Sequence, residues 1–247
     1  MARAELHAAR RLRSLVAPAA LAAWCAALAF GAGADELKPF TASYVWNWHG
    51  MNVAVTTVRL EEHGDTWQYS SQSAARGIGR MLSLAPKTAS VLKIAGADVQ
   101  PLSYQGDDGS SSSKRTVNVT YDWQHQRVTG VYEDTPVDLA LTPGVQDDSS
   151  IQIALMAALL HGRTPDHFTV LDKNAVRAYQ YRREGEATLK TPLGDVATVI
   201  YSSARANSPR VNRYWCAPSR GFIPLRVQQK RGEDVEWTMD IESLTRD

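Results

Sequence analysis

The chain has 247 residues, with 27 lysines and arginines against 26 aspartates and glutamates, a formal charge of +1. That length allows one or two domains. The even balance lacks the basic footprint that binding a phosphate backbone needs, so nucleic acid is excluded as an expected partner.

Residues 1–34 read as an export signal outside the fold. Arg3, Arg10, Arg11 and Arg13 form a positive start, Leu15 to Phe30 is an uncharged run rich in Ala and Leu, and Ala32-Gly33-Ala34 is a small-x-small cleavage site before Asp35. The apolar run is shorter than the ~18–20 residues a membrane span needs, and Pro18 interrupts it, so no stable membrane anchor is expected. The expected mature protein is residues 35–247, a single β-rich domain in the periplasm. Four of the 27 basic and one of the 26 acidic residues lie in the signal, leaving 23 against 25 and a formal charge of −2. Cys216 then remains as the only cysteine, which excludes an internal disulfide and reads as a small buried strand residue.

From Phe40 the apolar period is two. Phe40, Ala42, Tyr44, Trp46 and Trp48 share one face of a predicted strand, with Thr41, Ser43, Val45, Asn47 and His49 on the other. Turns at His49-Gly50-Met51-Asn52 and His63-Gly64-Asp65 separate it from predicted strands at 53–60 and 67–72, a meander. Arg76-Gly77-Ile78-Gly79-Arg80 has the glycines of a phosphate loop but no strand-to-helix context for one. Further strands are predicted at 88–94, 99–105, 115–123, 127–132 and 137–141. Asp107-Asp108-Gly109 with Ser110–Ser113 reads as a hairpin tip and has too few acids in register for a calcium loop.

One confident helix follows, near residues 147–161. Asp147 suits its N-cap, with Asp148 adding negative charge in the first turn, while a start at Ser149 with Gln152 three residues on is the alternative. Ile151 to Leu160 holds a single polar residue, Gly162 suits a left-handed stop and Pro165 prevents continuation. Apolar residues run nearly all the way round, so the helix is expected to be buried on most sides. Strands resume at 168–171, 175–183, 196–203, 211–216 and 222–230, the last pairing with 235–243 across Arg231-Gly232-Glu233-Asp234. The expected fold is mainly β: one large, curved antiparallel sheet of roughly a dozen strands, a half-barrel or open barrel, with one buried helix.

Five segments occur in a telling order: Tyr121-Asp122-Trp123, Gln146-Asp147-Asp148-Ser149-Ser150, Thr191-Pro192-Leu193-Gly194, Tyr214-Trp215-Cys216-Ala217-Pro218 and Phe222-Ile223-Pro224-Leu225-Arg226. In these the chain resembles the DUF3108 family of exported proteins of unknown function, over roughly Phe40 to Leu244. The resemblance implies a periplasmic, sheet-rich fold and carries no catalytic residue across. Physically, Asp147 and Ser150 suit a helix start, Gly194 a turn and Trp215 a core anchor, all structural roles.

Catalytic chemistry finds little support. Ser149 and His161 would sit at opposite ends of the helix, ~18 Å apart at 1.5 Å per residue. His161 and His167 have no second pair of ligands nearby, so neither a metal nor a cofactor is expected. The seven tryptophans and nine tyrosines are more informative, because aromatics on a curved sheet can line a lipid-sized cavity. The sequence-based expectation is a non-enzymatic periplasmic protein that binds a lipid or other apolar envelope molecule in the concave face of the sheet, through Trp46, Trp48, Tyr121, Trp123, Leu155 and Leu159. The alternatives are a structural or interaction protein of the envelope with a solid core and a protein partner, and, third, a hydrolase.

Overall fold

The computed structural model describes residues 36–82, 85–110 and 115–246. The export signal with its cleavage site, the start at Asp35, and the hairpin-tip residues 111–113 lie outside the described residues.

Fourteen strands form one antiparallel sheet. They are β1 (Phe40–Trp48), β2 (Met51–His63), β3 (Thr66–Ala75), β4 (Lys87–Ala95), β5 (Asp98–Asp107), β6 (Thr116–Asp122), β7 (Arg127–Tyr132) and β8 (Thr135–Ala140), then, after the helix, β9 (His167–Asp172), β10 (Ala175–Thr191), β11 (Gly194–Arg205), β12 (Arg210–Ala217), β13 (Ile223–Arg231) and β14 (Asp234–Arg246). Almost every strand pairs with its neighbour in sequence, the meander expected from the short Gly- and Asn-bearing turns. The exception is in the middle of the sheet, where β1 pairs with β14. The two free edges are therefore β8 and β9, the strands that flank the helix α1 (Ser150–Leu160). The sheet curls until these edges approach one another, without closing. Gln146, on the way to the helix, makes a parallel bridge to Val170 of β9, and Lys173 beside β9 pairs with Glu133 beside β8 at 3.1 Å.

Each of the fourteen strands corresponds to a predicted one, but β10 runs eight residues beyond the expected end at Arg183. The reason for the difference is Gly185. Between two glutamates it looks like a turn, yet it sits at a register shift with φ +147°, a bulge conformation that glycine tolerates and that lets the strand continue to Thr191.

The helix is the sheet's packing partner. Ile153 to Leu159 are all buried, as the all-round apolar pattern requires. Ile153, Ala154, Met156 and Ala157 face a core built from Phe40, Tyr44, Leu60, Leu92, Ile223 and Leu225. Leu155 and Leu159 turn the other way, onto Tyr181, Tyr201 and Cys216. A lone 11-residue helix is marginal in water, and each buried leucine contributes roughly 1.5–3 kcal/mol to holding it on the sheet.

The helix is also short. Eleven residues rise only about 16 Å, whereas a strand of nine spans about 30 Å. It starts beside Thr88 and Ser90 of β4 and ends where Arg163 meets Asp98, the first residue of β5, at 3.1 Å. It thus fills the half of the barrel that holds the turns 64–65, 96–97 and 218–222. Among the described residues, the half that holds the turns 49–50, 173–174, 206–209 and 232–233 contains no α-helix, only the 3-10 turn Gly77–Leu82. We call this second half the mouth.

Candidate functional site

The stretch Gln146-Asp147-Asp148-Ser149-Ser150 anchors the helix start to three strands. Oδ1 of Asp147 accepts from the main-chain N–H groups of Ser149 (2.9 Å) and Ser150 (2.7 Å), so Asp147 caps the first turn although regular helix begins at Ser150. The same oxygen accepts from the Ser90 hydroxyl on β4 at 2.5 Å. Ser149 donates to Thr88 on β4 at 2.9 Å, Tyr132 on β7 donates to Asp148 at 2.7 Å, and Nε2 of Gln146 donates to the Val99 carbonyl on β5 at 2.9 Å. Burial pushes the Asp147 carboxyl up to about 6, against the hydroxyl and the two amides that favour its charge. The phenols of Tyr104 and Tyr121 are raised too, first by burial and then by the Asp147 and Asp148 charges.

Among the described residues no imidazole is hydrogen-bonded to this cluster of carboxylates and hydroxyls. The Ser150 hydroxyl accepts from the Asp147 N–H at 2.8 Å, and His161 holds the Ala157 carbonyl at the far end of the helix. The arrangement is a latch between the helix and the sheet. Among the described residues no group of three or more His, Cys, Asp and Glu side chains could hold a metal ion. The Cys216 thiol is fully buried and pushed up to about 12 by that burial, an inert packing group.

The six residues expected to bind a ligand lie in three places. Leu155 and Leu159 are in the packed core. Tyr121 is buried with Val119, Val145 and Leu171, and Trp123 packs beside that cluster, donating its indole N–H to the Pro101 carbonyl at 2.7 Å. Trp46 and Trp48 stand together at the mouth, on the continuation of the face that buries Phe40, Ala42 and Tyr44. There they line a pocket of about 230 Å3 with Val53, Ala54, Ser73, Ala75, Gly79 and Pro86. Trp237 packs edge-on against Trp46 with ring centres 6.1 Å apart. The Trp237 indole donates to Gln229, which donates in turn to Asn212, but the buried N–H of Trp46 has no partner among the described residues. Trp48 is 47% exposed, and Met51 and Val235 beside it are exposed as well.

Gly79 explains the glycines that looked like a phosphate loop. It lies in the 3-10 turn Gly77–Leu82, laid so close on β2 that a Cβ would come 2.0 Å from the Val53 carbonyl oxygen. The glycine lets the turn wall the pocket. Of the motif residues, Gly194 closes a tight turn at φ +97° in which the Thr191 hydroxyl accepts from the Leu193 N–H at 3.0 Å. Trp215 is buried under the guanidinium groups of Arg213 and Arg226, 4.9 and 5.8 Å from its ring centre.

The sequence pointed to Asp147, Ser150, Trp46 and Trp48. It did not point to Thr88, Ser90, Tyr132 or the bridging role of Gln146, whose partners lie on strands 16 to 61 residues away. No local pattern marks such pairs.

In solved structures the fold has a counterpart in a crystal structure of a "Beta-barrel-like Protein of Domain of Unknown Function DUF1849" from Brucella abortus, with a TM-score of 0.55 and 11% identity, covering 86% of this chain and 99% of that one. At that identity the likeness is one of fold alone. Among curated proteins none is significantly similar to this chain. The model of the family described as "Protein of unknown function (DUF3108)" matches residues 40–233, from the first residue of β1 to the turn before β14, and the chain belongs to that family.

Proposed function

We propose that the protein is exported to the periplasm and there binds an apolar envelope molecule, an acyl chain of a lipid, without transforming it. The observation that carries this reading is the mouth pocket: an apolar hollow lined by Trp46, Trp48, Val53, Ala54, Ala75 and Pro86, with Trp48 47% exposed at its edge. Its 230 Å3 falls below the ~300–1,000 Å3 of a drug-sized ligand site. It therefore takes one end of a chain, with the remainder lying across the rim. The lining offers no carboxylate or imidazole, and the hydroxyl of Ser73 is engaged with that of Thr56 at 2.7 Å. Binding by burial at roughly 25 cal/mol per Å2 makes selectivity among acyl chains loose.

The test is to extract the purified protein with solvent and titrate it with a fluorescent fatty acyl probe while following tryptophan emission. Saturable binding that quenches emission, and that weakens in Trp48→Ala, is expected. No co-purified lipid and no saturable binding would overturn the reading. The second reading, an envelope protein that works through a protein partner, is favoured by the burial of Ile153 to Leu159 against the sheet and becomes the conclusion in that case.

A further inference from the structure

The gap between the sheet's two edges is not uniform. Toward the mouth it is tied by the Lys173–Glu133 ion pair and by the Gln146 bridge. Toward the other end the walls part around a groove of about 550 Å3, between the start of β5 and the start of β9, with Ala154 and Ala158 of the helix as its floor. Both walls are strand edges. β5 pairs with β6 only from Ser103 onward, so Asp98 to Pro101 carry a sheet neighbour on one side only. On β9, the Tyr181 N–H donates to the Asp166 carbonyl, and the alternation of an antiparallel ladder then turns the main-chain groups of His167, Thr169 and Leu171 outward. Gln146 takes the Thr169 carbonyl and the Leu171 N–H, each at 2.8 Å. The N–H of Thr169 and both main-chain groups of His167 have no main-chain partner among the described residues. Gln146, a residue only 3% exposed, also reaches the other wall through Nε2, while its Oε1 has no partner among the described residues.

We propose that this groove binds a short extended peptide of a partner protein, which adds to the outer edge of β9 and extends the pairing that Gln146 begins. The β9 wall presents the His167 N–H and carbonyl and the Thr169 N–H at main-chain spacing, while on the β5 wall the Val99 and Pro101 carbonyls are already taken by Gln146 and Trp123. An extended peptide satisfies these and an acyl chain does not. The stretch from His167 to Thr169 is three residues, or roughly 10 Å, which sets the paired length. The alanine floor admits small apolar side chains. The far end is closed by Asp98 and Arg163, one charge from each wall already paired with the other, so the groove suits a segment without net charge. The site is separate from the mouth pocket, and its test is independent of lipid binding.

The test is amide NMR of the full chain titrated with the capped peptide acetyl-Ala-Val-Ala-Val-Ala-amide, alongside the same peptide N-methylated at its central residue. Saturable shifts at His167 to Thr169 and at the Gln146 side-chain amide are expected, with at least a tenfold loss of affinity on N-methylation. His167→Pro removes an outward N–H that the β9–β10 ladder does not use, so the fold is kept while binding falls at least tenfold. Ala158→Leu fills the floor and gives the same loss by a different route. No shifts at millimolar peptide, equal binding of the methylated peptide, or unchanged binding in a folded His167→Pro would each overturn the proposal. Shifts at these amides from the acyl probe instead of the peptide would overturn it as well.

Discussion

A single strand shows how differently the two halves of this barrel are built. On one face of β1, Phe40, Ala42 and Tyr44 are 4%, 0% and 3% exposed, and then, with no change in the pattern of residues, Trp46 is half-buried and Trp48 stands 47% exposed. The alternation continues but the helix does not. Where α1 lies against the sheet, aliphatic and aromatic side chains interlock into a solid core. Where it is absent, Trp46 and Trp48 line a hollow of about 230 Å3. Period-two alternation therefore assigns a face, while depth is assigned by what lies opposite.

This contrast is sharpened most by removing helix side chains. Leu155→Ala is expected to cost about 2–5 kcal/mol in urea denaturation, because its cavity is walled by Tyr181, Tyr201 and Cys216 and has little room to collapse. A loss below half a kcal/mol would mean that the helix is not the packing partner and would erase the distinction between the halves.

The latch at the helix start gives the next effect, and it depends on pH. In the folded chain burial raises the Asp147 carboxyl from 3.8 to about 6, so the folded state holds this proton more tightly than the unfolded state. Its contribution to stability is then fully present below pH ~4 and is lost as pH rises through 6, a change of up to about 3 kcal/mol. Stability measured from pH 4 to 7 should fall through this window, and Asp147→Asn should flatten that part of the curve. A wild-type curve that rises steadily through the window, with no difference in the Asn variant, would refute the buried placement.

Asp147→Ala at pH 7 should cost about 1–2 kcal/mol, since two first-turn amides and the Ser90 hydroxyl lose their acceptor. Asp147→Asn keeps the Oδ1 acceptor and should lose less, as chemical denaturation of the two variants would reveal.

The smallest stability change belongs to the mouth. Trp48→Ala should stay within about 0.5 kcal/mol of wild type in thermal or urea unfolding, while affinity for the acyl probe falls at least ~tenfold, or about 1.4 kcal/mol. A large destabilisation would place Trp48 in the packed half after all.

Much of this architecture is legible in the residues. The two-residue periods, the Gly-bearing turns and the all-round apolar run of Ile151 to Leu160 specify a curved antiparallel sheet with one buried helix, while Asp147 and Ser149 both offer themselves as its cap: Ser149 takes the cap position and Asp147 supplies the side-chain acceptor. What stays hidden is whatever depends on distant partners. Nothing near Ser90 or Thr88 says that they will receive the helix start, and Tyr132 gives no sign that it meets Asp148. Gly185 masks the second half of β10 because a bulge and a turn call for the same residue. Trp46, Trp48, Tyr121 and Trp123 look alike on their strands, yet Tyr121 is sealed beneath Val145 and Leu171 while Trp48 meets solvent.

The pairing of β1 with β14 bears on how the chain reaches this state. Phe40 finds Arg246 as its partner, 206 residues later. Emerging from its N-terminus, the polypeptide can fold β1 to β8 as successive local hairpins, but the outer side of β1 must stand unpaired until the last strand has been made. Contacts of such long separation form slowly, and a waiting strand edge is a template for the wrong neighbour. The final hydrogen-bonded ladder is thus both the clasp of the sheet and its kinetic bottleneck. A permuted chain that joins residue 246 to residue 40 and opens between β8 and α1 would turn that clasp into one more hairpin and should refold faster, with less aggregation, than the natural order.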